Sequence, residues 1–143
     1  MTDVIGVAEA KRELPQLIRE AGEQLKLFTL ANVQRRDAPR VVLLGERTLE
    51  ALVEHLSCIP QWEEDREHGL WSVYAPELDV FGQGESREDA LNSLIEAAQE
   101  YADLYLEDAP FYFKVNRQHH YQFVIALALA RGDRKKVTKV LGL

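Results

Sequence analysis

Between Ser86 and Pro110 the chain places Ala90, Leu91, Leu94, Ile95, Ala98, Tyr101, Ala102 and Tyr105 at helical spacing. Apolar residues three and four apart line up along one side of a helix, so this run predicts a long helix with one buried face. Ser86 is placed to cap it, with Asp89 three residues on in a capping-box arrangement. A stripe of that length needs a cover, and the preceding residues supply one. Runs at 60–66, 69–76 and 79–84 read as strands, punctuated by His68-Gly69 and Pro76-Glu77. Trp71, Val73 and Ala75 alternate with Ser72 and Tyr74, so one face of that strand is half buried. The middle of the chain therefore predicts three strands and a helix, a sheet covered on one face.

The segment before it reads strand, helix, hairpin, helix. Val4-Ile5-Gly6-Val7 is β-prone. From Ala8 the spacing turns helical, with Ala10, Leu14, Leu17, Ile18 and Ala21 on one face and Gly22 as the C-terminal cap. Pro15 cannot donate to the carbonyl of Lys11 and predicts a kink or a break. Gln24–Leu30 and Arg40–Gly45 read as two strands of a hairpin joined through Arg35–Pro39. Thr48 caps a helix through Ala51, Leu52, Val53 and Leu56 that stops before Pro60. After the long helix, Phe111–Val115 reads as extended. A helix follows from about Arg117 to Arg131, ended by Gly132, and then a short basic helix capped by Asp133. The weakest joint is Ser57–Gln61. The expected parts are 1–58, 59–110 and 111–143, and the class is α+β.

The net charge of −7 over 143 residues conceals a strong polarity. Residues 1–58 carry net −1, residues 59–110 net −12 and residues 111–143 net +6. An acidic middle attracts a basic partner over long range; it also serves simply to keep a small domain soluble. There is no apolar run long enough for a membrane helix and no basic head with an apolar stretch behind it, so neither a membrane span nor a signal peptide is expected. A lone cysteine, Cys58, excludes an internal disulfide and fits a reducing cytoplasm.

Two resemblances attach to these residues. Val7-Ala8-Glu9-Ala10-Lys11-Arg12-Glu13-Leu14, the hairpin ending Val41-Val42-Leu43-Leu44, and Thr48-Leu49-Glu50-Ala51-Leu52 resemble the N-terminal part of the Phd/YefM antitoxins, over about residues 3–56. That likeness implies a dimer that binds operator DNA and represses its own operon. Glu63-Glu64-Asp65, then Gly69–Leu78, then Gly84-Glu85-Ser86-Arg87-Glu88-Asp89-Ala90-Leu91 resemble the HicB antitoxin domain, over about residues 59–108. It implies a partial RNase H-like βββα unit that binds a small toxin ribonuclease. The expected fold is thus a Phd/YefM-like N-terminal module followed by a HicB-like domain with a helical C-terminal tail.

Individual residues carry alternative readings. Lys11 and Arg12, in the first half of the first helix, are phosphate contacts on DNA or solvated charges. Arg35, Arg36 and Arg40 cluster at the hairpin tip and either follow a DNA backbone or form an ordinary charged turn. Glu96, Glu100, Asp103 and Glu107 step by four, three and four, one acidic stripe along the long helix. That stripe docks a basic toxin or is a solvated face. Glu63, Glu64 and Asp65 invite a two-metal nuclease reading, but neighbours on one strand alternate faces and do not converge. His55, His68, His119 and His120 have no metal-ligand spacing, and Cys58 has no partner cysteine. His120 with Tyr101 or Tyr105 reads as a packed polar contact. No G-x-S-x-G elbow or phosphate loop is present.

Residues 126–143 are similar to the first two helices of a Fis-type helix-turn-helix, without the recognition helix. Lys135, Lys136 and Lys139 either touch phosphates or sit on a helical hairpin packed through Val124, Leu127, Val137 and Leu141. The expectation is an antitoxin, binding rather than catalytic and without a cofactor. Its partners would be a basic, RNA-cleaving toxin and operator DNA, and it would form a homodimer or higher oligomer. The rivals are an orphan transcriptional regulator and a small metal-dependent nuclease.

Overall fold

The computed structural model describes residues 4–32, 34–35 and 37–143. They form two compact units, one up to Leu52 and one from Val53 to Leu143. No helix among them is long and apolar enough to cross a membrane.

In the first unit, β1 (Val4–Gly6) runs into α1 (Val7–Glu23), followed by β2 (Phe28–Ala31), β3 (Val41–Leu43) and α2 (Glu46–Val53). β2 is central, parallel to β1 and antiparallel to β3. A parallel pair needs a crossover, and α1 provides it. Pro15 does not break α1, which runs through it. The carbonyl it leaves without a donor belongs to exposed Lys11, within reach of solvent. Gly22 does not end the helix either. The backbone N–H groups of Gln24 and Lys26 donate to the Glu20 carbonyl at 3.0 and 3.3 Å, and the left-handed residue is Leu25, with φ +57°. This termination delays β2 from the expected Gln24 to Phe28. α2 starts at Glu46, so Thr48 lies inside it rather than capping it. Ile5, Ala10 and Leu17 form the buried centre of this unit, packed with Phe28, Leu30 and Leu43.

In the second unit, β4 (Gln61–Asp65), β5 (Leu70–Ala75) and β6 (Val80–Gly84) form an antiparallel meander with β5 central, followed by α3 (Arg87–Glu107). The strands start and stop within a residue of the pattern's limits. Ser86 caps α3: the Asp89 N–H donates to its hydroxyl oxygen at 3.1 Å, and the hydroxyl donates to the Asp89 carboxylate at 2.8 Å. Val73 lies opposite Gly82 and Trp71 opposite Gly84. A Cβ on Gly82 would sit 2.2 Å from the Leu94 nitrogen and 2.3 Å from the Ala90 oxygen. The helix therefore rests backbone on backbone against β6. Its stripe, Ala90, Leu94, Ile95, Ala98, Ala102 and Tyr105, is buried with Val73, Ala75 and Leu78.

The rest of the chain closes this core. Phe111–Val115 is not extended: Ala109–Lys114 is a short helix, α4. Asp108 caps it by accepting from the Phe111 N–H at 3.3 Å, and Pro110 occupies its first turn. Asp-Ala-Pro was the readable start signal, and the aromatic run obscured it. A 3₁₀ turn (Gln118–His120) leads into α5 (Tyr121–Leu129), and α6 (Arg134–Val140) follows. Val124, Leu127, Val137 and Leu141 are all buried, as the helical-hairpin reading expects. Near the start of this unit, the Cys58 N–H donates to the Val140 carbonyl at 2.8 Å and the Ser57 hydroxyl to the Lys139 carbonyl at 3.2 Å. Residues 111–143 thus belong to the same core as β5 and α3.

Gly82→Ala should destabilise the second unit by about 3 kcal/mol, because the obstructing atoms are helix backbone and cannot swing aside. Urea unfolding followed by tryptophan fluorescence measures this, since Trp62 and Trp71 lie on β4 and β5.

Candidate functional site

Two surfaces carry the charged residues singled out in the sequence, one on each unit. On the first, the parallel pairing of Gly6 with Ala31 puts the start of α1 and the exit of β2 at the same end of the sheet. Lys11 and Arg12 lie in the early turns of α1, and the segment after Ala31 carries Arg35 and Arg40. All four are exposed. Topology therefore brings the helix pair and the hairpin pair to one end. Arg35 is also engaged locally, 3.8 Å from the carboxylate of Asp37. Arg36 lies outside the described residues.

On the second unit, Glu96, Glu100 and Glu107 are exposed on the outer side of α3 and form no ion pair among the described residues. Asp103 differs. It is bound by Arg131, which reaches back from the end of α5. The continuous four-residue stripe is therefore interrupted. Part of the tail's positive charge is spent inside the chain: Arg117 pairs with Asp79 and Arg134 donates to Asn92. Lys135, Lys136 and Lys139 are exposed on α6.

A polar and aromatic cluster at the far end of α3 was only partly legible. The hydroxyl of Tyr101 and Nδ1 of His120 are hydrogen-bonded at 2.7 Å, the packed contact anticipated for that histidine. Asp79 accepts from the Tyr74 hydroxyl and from Arg117, both at 2.9 Å. The Tyr105 hydroxyl donates to the Arg117 carbonyl at 2.9 Å. Tyr105 is itself sandwiched between the stacked rings of Tyr112 and Tyr121, at 4.5 and 5.6 Å. Arg117 and Asp79 are 38 residues apart, and no sequence spacing announces such a pair. The Tyr74 hydrogen bond, followed by Arg117, holds the Asp79 carboxyl below its usual range. Burial, then the neighbouring His119 and Arg117, lowers the pKa of His120.

The remaining candidates do not assemble into chemistry. Glu63, Glu64 and Asp65 pair in register with Ser72, Trp71 and Leu70, so neighbours face opposite sides of the sheet. Glu64 binds Arg66, and Asp65 binds His68 at 2.7 Å. No three His, Cys, Asp or Glu side chains among the described residues are grouped to hold a metal ion. Burial, with Glu77 beside it, pushes the Cys58 thiol up to about 12, far from a reactive thiolate.

Comparison with known proteins adds three findings. A family model described as PHD-like, antitoxin of toxin-antitoxin, RelE / RelB, TA system, matches residues 1–142. No curated protein matches the chain. The crystal structure of an antitoxin part of a proposed toxin/antitoxin system from Syntrophomonas wolfei subsp. wolfei superimposes with a TM-score of 0.81. It is 17% identical, and 96% of each chain is covered.

A histidine whose pKa is lowered by folding stays neutral in the folded state while the unfolded chain takes up a proton. Its contribution to stability is complete above the ordinary histidine value of about 6.5 and is lost as pH falls through the folded pKa. The thermal midpoint should therefore drop between pH 7.5 and 5.5. In His120→Gln, which keeps a hydrogen-bonding group and does not titrate, the slope over that range should be shallower.

Proposed function

Since this chain belongs to the PHD-like antitoxins of toxin-antitoxin systems, and an antitoxin has a cognate toxin as its partner, we propose a division of labour between its two units. The first is a Phd/YefM-like module that dimerises and places the complex on operator DNA, repressing the operon. The second is a HicB-like module that covers a basic, RNA-cleaving toxin. The activity is binding, not catalysis, and belongs in the cytoplasm. The observation that carries this reading is the family match along nearly the whole chain. Its finer parts are supported by the β-α-β-β-α order of the first unit and the βββα order of the second.

The DNA-binding part rests on exposed Lys11, Arg12, Arg35 and Arg40 at one end of a small sheet, joined by Arg36 in sequence. Residues of this kind at a helix start and a hairpin tip suit phosphates on a duplex backbone. The dimer rests on packing. The buried centre of the first unit is small, and its own sheet covers only one side of the apolar stripe of α1. Val7, Leu14 and Ile18, the last two expected within the buried face, lie along the uncovered side and are 45%, 43% and 56% exposed. A unit with so little core gains most of its missing burial from a second copy. The toxin-binding part rests on charge, since a protein that cuts RNA presents positive surface and residues 59–110 carry net −12.

Co-expression with the protein encoded by the adjoining short reading frame tests the central reading. A tight complex and restored growth are the expected result, and a harmless neighbour that does not bind overturns it. Lys11→Ala/Arg12→Ala should weaken binding to the chain's own promoter across sequences. The slope of log K against log salt should fall by about one for each phosphate that the variant leaves unneutralised; an unchanged slope places the DNA-binding surface elsewhere. Leu14→Glu/Ile18→Glu should convert the dimer to monomer in light scattering.

A further inference from the structure

We propose that the toxin docks on the open face of the β4-β5-β6 sheet. It would lay a cationic side chain, arginine above all, on the rings of Tyr74 and Phe81, with the Glu63 carboxylate beside them. This rests on the antitoxin reading and names the surface through which it acts.

Strand register assembles this face. Gly82 lies against α3, and successive side chains on a strand point to opposite sides, so Phe81 and Gln83 face away from the helix. Phe81 stands opposite Tyr74, and Tyr74 opposite Gln61. In the next row Gln83 stands opposite Ser72, and Ser72 opposite Glu63. Residues opposite or diagonal to one another on one face of a sheet are within side-chain reach. All six border one shallow depression of about 620 Å³.

An antiparallel sheet covered on one side is ordinarily polar on the other. This one carries a cross-strand aromatic pair there. Phe81 is 65% exposed and takes no part in the core. Its strand is fixed from the opposite side, by the contact of Gly82 with α3 and by the Gln83 N–H, which donates to the Ser93 hydroxyl at 3.2 Å. The Tyr74 hydroxyl donates to Asp79, which Arg117 holds in turn. The backbone under both rings is set before a partner arrives, and such a site loses little freedom on binding.

Charge selects the occupant. β4, β5 and β6 contain no lysine or arginine. Glu63 is exposed and forms no ion pair among the described residues. A guanidinium is attracted both to ring faces and to a carboxylate. On the covered face of the same sheet Arg87 already lies over Trp62 and Trp71, 4.4 and 5.2 Å from the ring centroids. The open face offers rings and a carboxylate without the cation. A second copy laid face to face would bring the same acidic face and no strand cation to meet it, which electrostatics disfavours. A protein that cuts RNA brings positive surface, and arginine is the residue suited to phosphate and to ring faces alike.

The experiment uses the full chain and the protein encoded by the adjoining reading frame, with affinity and association rate measured at two salt concentrations. Phe81→Thr keeps a strand-forming residue and removes the ring. It should melt like the wild type and bind about tenfold more weakly or worse. Phe81→Trp restores a ring face and should keep the wild-type affinity; an equal loss in both variants overturns the contact between cation and ring. Glu63→Lys changes an exposed position and leaves every ring in place. It should slow association, and weaken binding by about tenfold at the lower salt concentration. If the wild type binds and both Phe81→Thr and Glu63→Lys bind as well as it does, the docking face is overturned and the antitoxin reading stands. If the wild type neither binds nor rescues growth, both fail. If Phe81→Thr abolishes self-association and keeps toxin affinity, a second copy occupies the face and the proposal is overturned.

Discussion

Gly82 faces the turn of α3 between Ala90 and Leu94 with no side chain between them, and this approach of backbone to backbone sets the height at which the helix lies on its sheet. The small residues of the stripe, Ala90, Ala98 and Ala102, are suited to so close a contact, and the larger Leu94 and Tyr105 fill the space beyond it. With the helix fixed, its remaining sides are assigned. One flank receives α5 and α6, another meets α4 through the tyrosines, and the outer side is left to solvent with its glutamates. The exposure of Glu96, Glu100 and Glu107 on that outer side follows from the way α3 is seated.

The two units solve the problem of burial differently. The second encloses a continuous core from Cys58 to Leu141, to which the sheet, α3 and the last helices all contribute. Its start is stitched to its end through Cys58 and Val140. The first buries few side chains and leaves one side of the apolar stripe of α1 exposed. One unit is suited to stand by itself and present a rigid surface. The other is the one proposed to pair, which is also what a two-fold DNA site asks of a protein.

Much of the architecture was legible because it rests on local rules. The strands of the second unit, the Ser86 cap and the stripe of α3 follow from alternation, capping and helical period. The errors came where local signals compete. Pro15 and Gly22 both look like helix stops, yet α1 passes through both to Glu23 and the left-handed Leu25 turns the chain after it; the carbonyl freed by Pro15 belongs to an exposed residue, so losing its donor does not bury an unpaired group. Phe111–Val115 has strand-forming composition, yet Asp108 and Pro110 start a helix that the tyrosine stack then holds.

The candidate surfaces divide along the same line. The sequence alone determined the charge on each segment, the helical spacing that puts Glu96, Glu100 and Glu107 on one side, and the presence of Lys11 and Arg12 near a helix start, since these depend on residues a few positions apart. Only the tertiary structure decided that Asp103 is paired with Arg131, that Asp79 is tied to Arg117, and that Tyr105 stacks with Tyr112 and Tyr121. Those outcomes depend on which distant segments the burial of α3 brings together, and a pairing made across tens of residues leaves no periodicity for the sequence to display.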